Sequence, residues 1–220
     1  MLAWALVAAA LVVAYLIGAI PFALIVGKAA RGIDLREHGS GNLGATNAVR
    51  VLGWKLGLLA LALDVAKGAA AVGIAAAIHT AAPGDRTYDL MLIGALIAAM
   101  TGHSYSPYIR FTGGKGVAVA AGGVLIITPL AWLILLGTFI VVVLIGRMVS
   151  LGSVVIAIEF PLLVLWLYND RTALVALSFL AAALVVWRHR SNIRRIVRGE
   201  EARISFRRNA APGGGDGDSA

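Results

Sequence analysis

The 220 residues are 60% hydrophobic and only 14% charged, with a mean hydropathy of +0.89, which excludes an ordinary soluble domain and implies a polytopic membrane protein. The absence of cysteine excludes disulfides, thiolate nucleophiles and thiolate metal sites, and leaves the redox compartment unreadable. The net charge of +8 sits in loops and a tail between apolar runs, so it points to membrane orientation and to anionic substrates or lipids rather than to nucleic acid.

Residues 2–27 read as a first span, with Pro21 expected to kink it near its end. No basic residue precedes the apolar run, which argues against a cleavable signal peptide. Lys28 and Arg31 follow it, favouring an outside N-terminus and a cytoplasmic loop. That loop holds a polar, glycine-rich island over 39–50. Gly39, Gly41 and Gly44 let backbone N–H groups approach a bound group, Ser40, Asn42, Thr46 and Asn47 offer neutral hydrogen bonds, and Arg50 offers a forked cation. The combination suits a phosphate, the plainer alternative being a flexible connector. Thr46 or Asn47 is expected to cap the helix that begins there, which would put Arg50 in its first turn, where an anion is already favoured.

The second span, over 54–79, carries Asp64 and Lys67 on one helix face, either a functional pair or a structural ion pair. A short outer loop over 80–87 leads to a third span over 89–101. A second island over 102–116 follows, with His103 near its start and the run Gly113, Gly114, Lys115, Gly116 at its end. Glycine amides beside an ammonium make a nest for phosphate oxygens; the alternative is a tight turn with a lysine that marks the inside. It is not a Walker A loop, because no Ser or Thr follows the lysine and the first glycine is at the wrong spacing.

Residues 117–145 would rise about 43 Å as one helix against roughly 30 Å of hydrocarbon, and Pro129 interrupts them. Charge decides how to divide the run. Splitting it at Pro129 makes seven segments, with later spans over 154–168 and 172–187, and places sixteen of the nineteen basic residues on the cytoplasmic side against Arg86 and Arg171 outside. The fold class is therefore all-α, about seven transmembrane helices, N-terminus outside and C-terminus cytoplasmic, with all polar islands on one face. Residues 147–153 add hydroxyls, Ser153 among them, and Arg147. Glu159 inside the sixth span reads as structural before functional. The tail over 188–201 reads as a basic amphipathic helix on the membrane surface, where His189 and Asn192 can turn toward the islands. One membrane domain over 1–208 ends in a Gly-rich tail, 209–220, expected to be disordered.

Residues 39–44 also read G-x-G-x-x-G, with Asp64 twenty residues beyond, but long apolar helices flank them where a dinucleotide fold needs a strand and a crossover helix. The four histidines show no metal-ligand spacing, and there is no G-x-S-x-G elbow.

Three motifs occur in order: Ser-Gly-Asn-x-Gly-Ala-Thr-Asn-x-x-Arg over 40–50, Gly-Gly-Lys-Gly-Val-Ala over 113–118, and His-Arg-x-Asn-Ile-x-Arg ending in Gly-x-Glu over 189–201. With residues 64–68 and 102–107 as further context, the chain over 15–206 resembles the bacterial acyl-phosphate:glycerol-3-phosphate acyltransferases of the inner membrane. It departs from them at Ser191 and Arg195. The resemblance implies that glycerol-3-phosphate attacks an acyl phosphate at the cytoplasmic face, giving lysophosphatidate and inorganic phosphate, with membrane lipid as surroundings and no cofactor, metal or obligate protein partner. It implies that Ser40, Arg50 and Lys115 bind phosphate and that His189 and Asn192 meet glycerol-3-phosphate. Asn42, Gly44, Thr46, Asn47, Gly113, Gly114, Gly116 and Ser153 would line the substrate site, while Asp64, Lys67 and His103 are either structural or functional. The rival class is a transporter of small organic phosphates, since intramembrane charge pairs and interrupted helices are transporter features too; a lipid-binding scaffold would leave Lys115 among glycines unexplained.

Overall fold

The computed structural model describes residues 2–78 and 85–204, with side chains from Trp4 onward. The tail over 209–220 and most of the outer loop over 80–87 lie outside the described residues. Among the described residues ten α-helices follow in order: α1 (Leu2–Ala19), α2 (Phe22–Arg31), α3 (Ala45–Leu52), α4 (Trp54–Ile78), α5 (Arg86–Ser104), α6 (Val117–Ile127), α7 (Pro129–Gly146), α8 (Val149–Leu167), α9 (Thr172–Arg188) and α10 (Arg190–Val197). Among the described residues the extended pairing is one isolated bridge, Ser106 with Thr112.

Among the described residues four stretches are long and apolar enough to cross a membrane: Trp4–Arg31, which contains the break at Ile20 and Pro21, then α4, α7 and α8. The pair α9 and α10, bent by 61°, makes a fifth if counted as one span. The other two apolar segments are of a different kind. Helix α5 is wrapped by α1, α4, α6 and α9 and buries most of its length, from Asp89 to Ser104, so it needs no lipid-facing surface of its own. Helix α6 has eleven residues, about 16 Å of rise, and stops at Ile127 because Pro129 cannot continue its hydrogen bonding. Thus the apolar run over 117–145 is divided where the proline predicts.

Small residues set the packing. A Cβ on Gly18 would lie 2.1 Å from the Ala99 carbonyl and one on Gly102 would lie 2.1 Å from the Tyr15 carbonyl, so α1 and α5 touch through reciprocal glycines. Gly68 and Gly122 do the same for α4 and α6. In lipid, where apolar contact alone does not favour association of helices, such close approach supplies the dispersion energy. Helix α7, by contrast, buries only Ala131 and Leu135 and turns Leu133, Leu144 and Ile145 outward. Glu159 of α8 accepts from the Thr138 hydroxyl of α7 at 3.0 Å, a contact between two helices.

Candidate active site

The ends of α5, α9 and α7 and the starts of α6 and α8 lie at one end of the bundle, where the islands gather. At the other end the bidentate pair of Arg171 with the buried Asp89 joins the starts of α9 and α5.

The first island is a folded cap with its own small core, in which Leu35, Leu43 and Leu52 are buried against Leu24 and Val26. Asn47 is 1% exposed and binds the loop to itself: its Oδ1 accepts from Ser40 N–H at 2.9 Å, and its Nδ2 donates to the His38 carbonyl at 3.1 Å and the Leu35 carbonyl at 3.4 Å. Asp34 is similarly occupied, with Arg36 and Lys28 holding its carboxyl well below the usual range. Two expectations are corrected here. Helix α3 starts at Ala45 with Gly44 as the N-cap and no side-chain cap, because Asn47 is already committed to the loop and Thr46 is exposed. Arg50 therefore falls in the last turn of α3, not its first; it is exposed and makes no hydrogen bond or ion pair with the described residues. Ser40 is exposed in the loop, and Asn42 is half-buried.

The second island leaves α5 at His103 and Ser104, makes a 3-10 turn at Pro107–Ile109, and returns past His103 before α6. The Gly114 N–H donates to the His103 carbonyl at 3.1 Å, so this amide of the expected nest is already spent. Gly116 closes the turn with φ +82°, a left-handed conformation that caps α6. Between them Lys115 is half-buried and reaches Asn192 Oδ1.

The third contributor is the bend at His189. Both helices share this residue as a cap, and its ring Nδ1 lies 2.8 Å from the Val185 carbonyl. A carbonyl only accepts, so Nδ1 carries the proton and Nε2 of a neutral ring is free to accept. Beyond the bend, Asn192 Nδ2 donates to Glu201 Oε1 at 2.6 Å, which leaves its Oδ1 for Lys115. Glu201 also accepts from the Ser150 hydroxyl at 2.6 Å and from Arg195 at 2.7 Å, and a pair of bonds between Arg147 and Ile204 pins the segment after it. Ser150 and Ser153 belong to α8, which starts at Val149, five residues earlier than the expected sixth span. Ser153 turns back to its own Val149 carbonyl at 2.9 Å; Ser150 joins the network instead.

A cavity of about 420 Å³ opens over these groups, lined by Asn42, Lys115, Arg188, Arg190, Ser191 and Arg194. Four cations around one space, with neutral donors between them, form an anion site. Arg188 does two jobs there: Nη2 donates to the Gly114 carbonyl at 2.8 Å, and the guanidinium stacks 4.9 Å from the Tyr105 ring centroid. Crowding adjusts the chemistry. Burial lowers the Lys115 ammonium to about 8, with Glu201 opposing that shift and Arg195 and Arg188 adding to it. Burial lowers His189 to about 4, against the bond to Val185 and aided by Lys115, so its ring is neutral at physiological pH. Burial works against charge on Glu201, but the bonds from Ser150, Asn192 and Arg195 outweigh it and hold the carboxyl below its ordinary value.

Of the residues expected at the site, Asn42 and Lys115 line the cavity, Asn192 is buried behind it and bonded to Lys115, His189 is buried at the bend between the lining residues Arg188 and Arg190, and Gly113, Gly114 and Gly116 form the turn that carries Lys115. Asn47 and Ser153 spend their polar groups on their own segments, and Lys67, Asp64 and His103 lie deeper. In the sequence Arg188 and Arg194 were visible only as tail charge, Arg190 only as part of the third motif, and Ser191 only as a departure from it. Their placement depends on the bend at His189, which hydropathy does not report. The groups of three or more His, Asp and Glu that a metal ion needs are absent among the described residues.

A model of a family described as glycerol-3-phosphate acyltransferase matches residues 8–199. The chain is 40% identical to the glycerol-3-phosphate acyltransferase of Chlorobaculum tepidum, across 91% of this chain and 97% of the relative. It is 41% identical to that of Salinibacter ruber, across 89% and 91%. Among solved structures it is similar to the crystal structure of PlsY (YgiH), an integral membrane glycerol 3-phosphate acyltransferase, in its glycerol 3-phosphate form, with a TM-score of 0.82 at 34% identity over 90% of this chain and 96% of that one. The lysophosphatidic acid form gives 0.80 at 33% identity, over 90% and 95%.

Proposed function

The chain belongs to the glycerol-3-phosphate acyltransferase family, and from that premise we propose that it transfers an acyl group from acyl phosphate to the 1-hydroxyl of glycerol-3-phosphate in phospholipid synthesis. The observation that carries this reading is the meeting of Lys115, Arg188, Arg190 and Arg194 around one cavity, beside a neutral His189 and an oriented Asn192. Two phosphorylated substrates need that density of cations. Lys115 and the arginines hold phosphate oxygens; Arg50 and Ser40, exposed and with no side-chain bond to the described residues, meet a phosphate at the rim.

In the reaction the 1-hydroxyl oxygen bonds to the acyl carbonyl carbon, the bond from that carbon to the phosphate oxygen breaks, and phosphate leaves with the electron pair. The donor is a mixed anhydride, so positioning and charge stabilisation supply the acceleration and no protein nucleophile is needed. His189 Nε2 accepts a hydrogen bond from a glycerol hydroxyl. With its ring lowered to about 4, it is a weak base at neutral pH, whereas the departing phosphate titrates near the working pH, and the proton goes there. The apolar segments sit in the bacterial inner membrane with the N-terminus outside and the site in the cytoplasm, the arrangement favoured by the distribution of basic residues, with the short α6 buried among its neighbours. The acyl chain lies between helices, open to lipid.

The test supplies purified protein with glycerol-3-phosphate and, separately, palmitoyl phosphate, palmitoyl-CoA or palmitoyl acyl carrier protein. Lysophosphatidate is expected from the phosphate alone; product only from a thioester would overturn the donor. In intact cells, cysteines at Glu37 and Glu200 should resist an impermeant thiol reagent and one at Arg86 should react.

A further inference from the structure

Midway along α4, below the basic cavity, Asp64 and Lys67 are buried together, 1% and 4% exposed. The Lys67 ammonium donates to the Ile20 carbonyl at 2.6 Å and to His103 Nδ1 at 3.0 Å, and it forms an ion pair with Asp64 Oδ1 at 2.7 Å. Ile20 is the break between α1 and α2, and His103 closes α5, so one side chain joins three membrane segments. An ammonium only donates; His103 therefore accepts at Nδ1 and, when neutral, carries its proton on Nε2.

That second nitrogen is pressed under the glycine turn. A Cβ on Gly114 would come 2.1 Å from His103 Nε2, and one on Gly113 would come 2.0 Å from the His103 carbonyl. The start of the same loop is fastened to the end of α1, by Ser106 Oγ to the Ala19 carbonyl at 2.7 Å and by Tyr15 to the Tyr105 carbonyl at 2.8 Å. Arg188 grips the turn from the opposite side through the Gly114 carbonyl. A buried ion pair is seldom more stabilising than apolar packing of equal volume, so its use here lies in orientation. An apolar side chain at position 67 would leave the Ile20 carbonyl bare and the imidazole free to turn.

We infer that Asp64, Lys67 and His103 form a buried post that sets the height of the turn at 113–114 and thereby places Lys115 in the cavity. They are positioning residues for acyl transfer and touch no substrate. The inference rests on the reading of Lys115 as a phosphate-binding cation, and part of its test needs no activity.

The variants are His103→Leu, His103→Asn and the charge-free pair Asp64→Asn with Lys67→Gln, each made in the full chain and again in a Lys115→Met background. Three quantities are measured: Tm, the Lys115 titration by NMR of 15N-labelled lysine (assigned by its loss in Lys115→Met), and kinetics with palmitoyl phosphate and glycerol-3-phosphate. His103→Leu should move the Lys115 titration away from about 8 and lower kcat/KM roughly 10- to 100-fold. His103→Asn, whose amide oxygen can accept from Lys67 in place of Nδ1, should recover most of both. In the Lys115→Met background, His103→Leu should cost nothing further, because the two act through one group. An unmoved Lys115 titration, or losses that multiply in the double variant, would make the post purely structural and overturn the inference. Should His103→Leu fail to fold, the charge-free pair gives the same three readings with no buried charge stranded. If the wild-type protein makes no lysophosphatidate, the proposed reaction falls, while the NMR titration still decides whether the post sets Lys115.

Discussion

The first island and the cluster around Lys115 both combine glycines and small polar groups with cations, yet they use their polar atoms in opposite ways. Over 34–50 the hydrogen bonds close on the segment itself: Asn47 holds Leu35, His38 and Ser40, and Asp34 holds Lys28 and Arg36. Around Lys115 they run between segments 51 to 77 residues apart, from the turn before α6 to α9 and α10, and from the residues after α10 to α8. A loop that satisfies itself is a scaffold; a cluster assembled from several helix ends leaves a cation-lined space between them. The same comparison separates Arg50, which has no hydrogen bond or ion pair among the described residues, from the Asn47 three residues before it.

Breaking the assembled cluster should have the largest effect. Lys115→Met removes a half-buried cation from its anion and should lower kcat/KM by about 2 to 5 kcal/mol, or roughly 30- to 5000-fold, with Tm little changed. Wild-type activity in that protein would remove the glycine turn from the active site. Arg50→Met should fall at the lower end of this range, about 30-fold, because an exposed guanidinium is already partly screened by water. If it left kinetics unchanged, the whole first island would be scaffold.

His189→Ala sharpens the contrast within the cluster. A hydrogen-bonding partner of the acceptor should raise KM for glycerol-3-phosphate about tenfold with kcat within a few-fold, whereas a thousandfold fall in kcat at normal KM would make it the base. Asn47→Ala tests the self-satisfied side: three backbone groups lose their partner, and the expected result is about 1 to 3 kcal/mol of lost stability, read as a lowered Tm, before any catalytic effect. A catalytic loss at unchanged Tm would move Asn47 into the substrate site.

The smallest effect is on pH. Lys115 is cationic below about 8, so kcat/KM, which reports the free enzyme, should be level below that value and fall as pH rises through it. A bound phosphate favours the ammonium and should displace the corresponding limb of kcat to higher pH. With His189 lowered to about 4, no limb from its ring is expected between pH 6 and 8. A limb near 6.5 that vanished in His189→Ala would show the ring titrating in the working range.

Much was legible in the chain itself because it is local. Runs of apolar residues and the proline at 129 each depend on a few neighbours, and they located the apolar helices and the division between α6 and α7. The three motifs were equally plain. What the chain could not express is which polar groups share a space, since that depends on distant helices meeting. The cap at Gly44 rather than Thr46 or Asn47 follows from Asn47 being drawn back to Leu35, His38 and Ser40, and Arg50 moved to the far turn with it. Arg188 and Arg194 read as tail charge, and Arg190 as part of the third motif, until the 61° bend at His189 turned them over Lys115. Membrane class and segment positions were determined by sequence, through hydropathy that is additive along the chain; the site was decided by tertiary packing, because close contact at the small residues between α1 and α5 and between α4 and α6 brings the helix ends to one place.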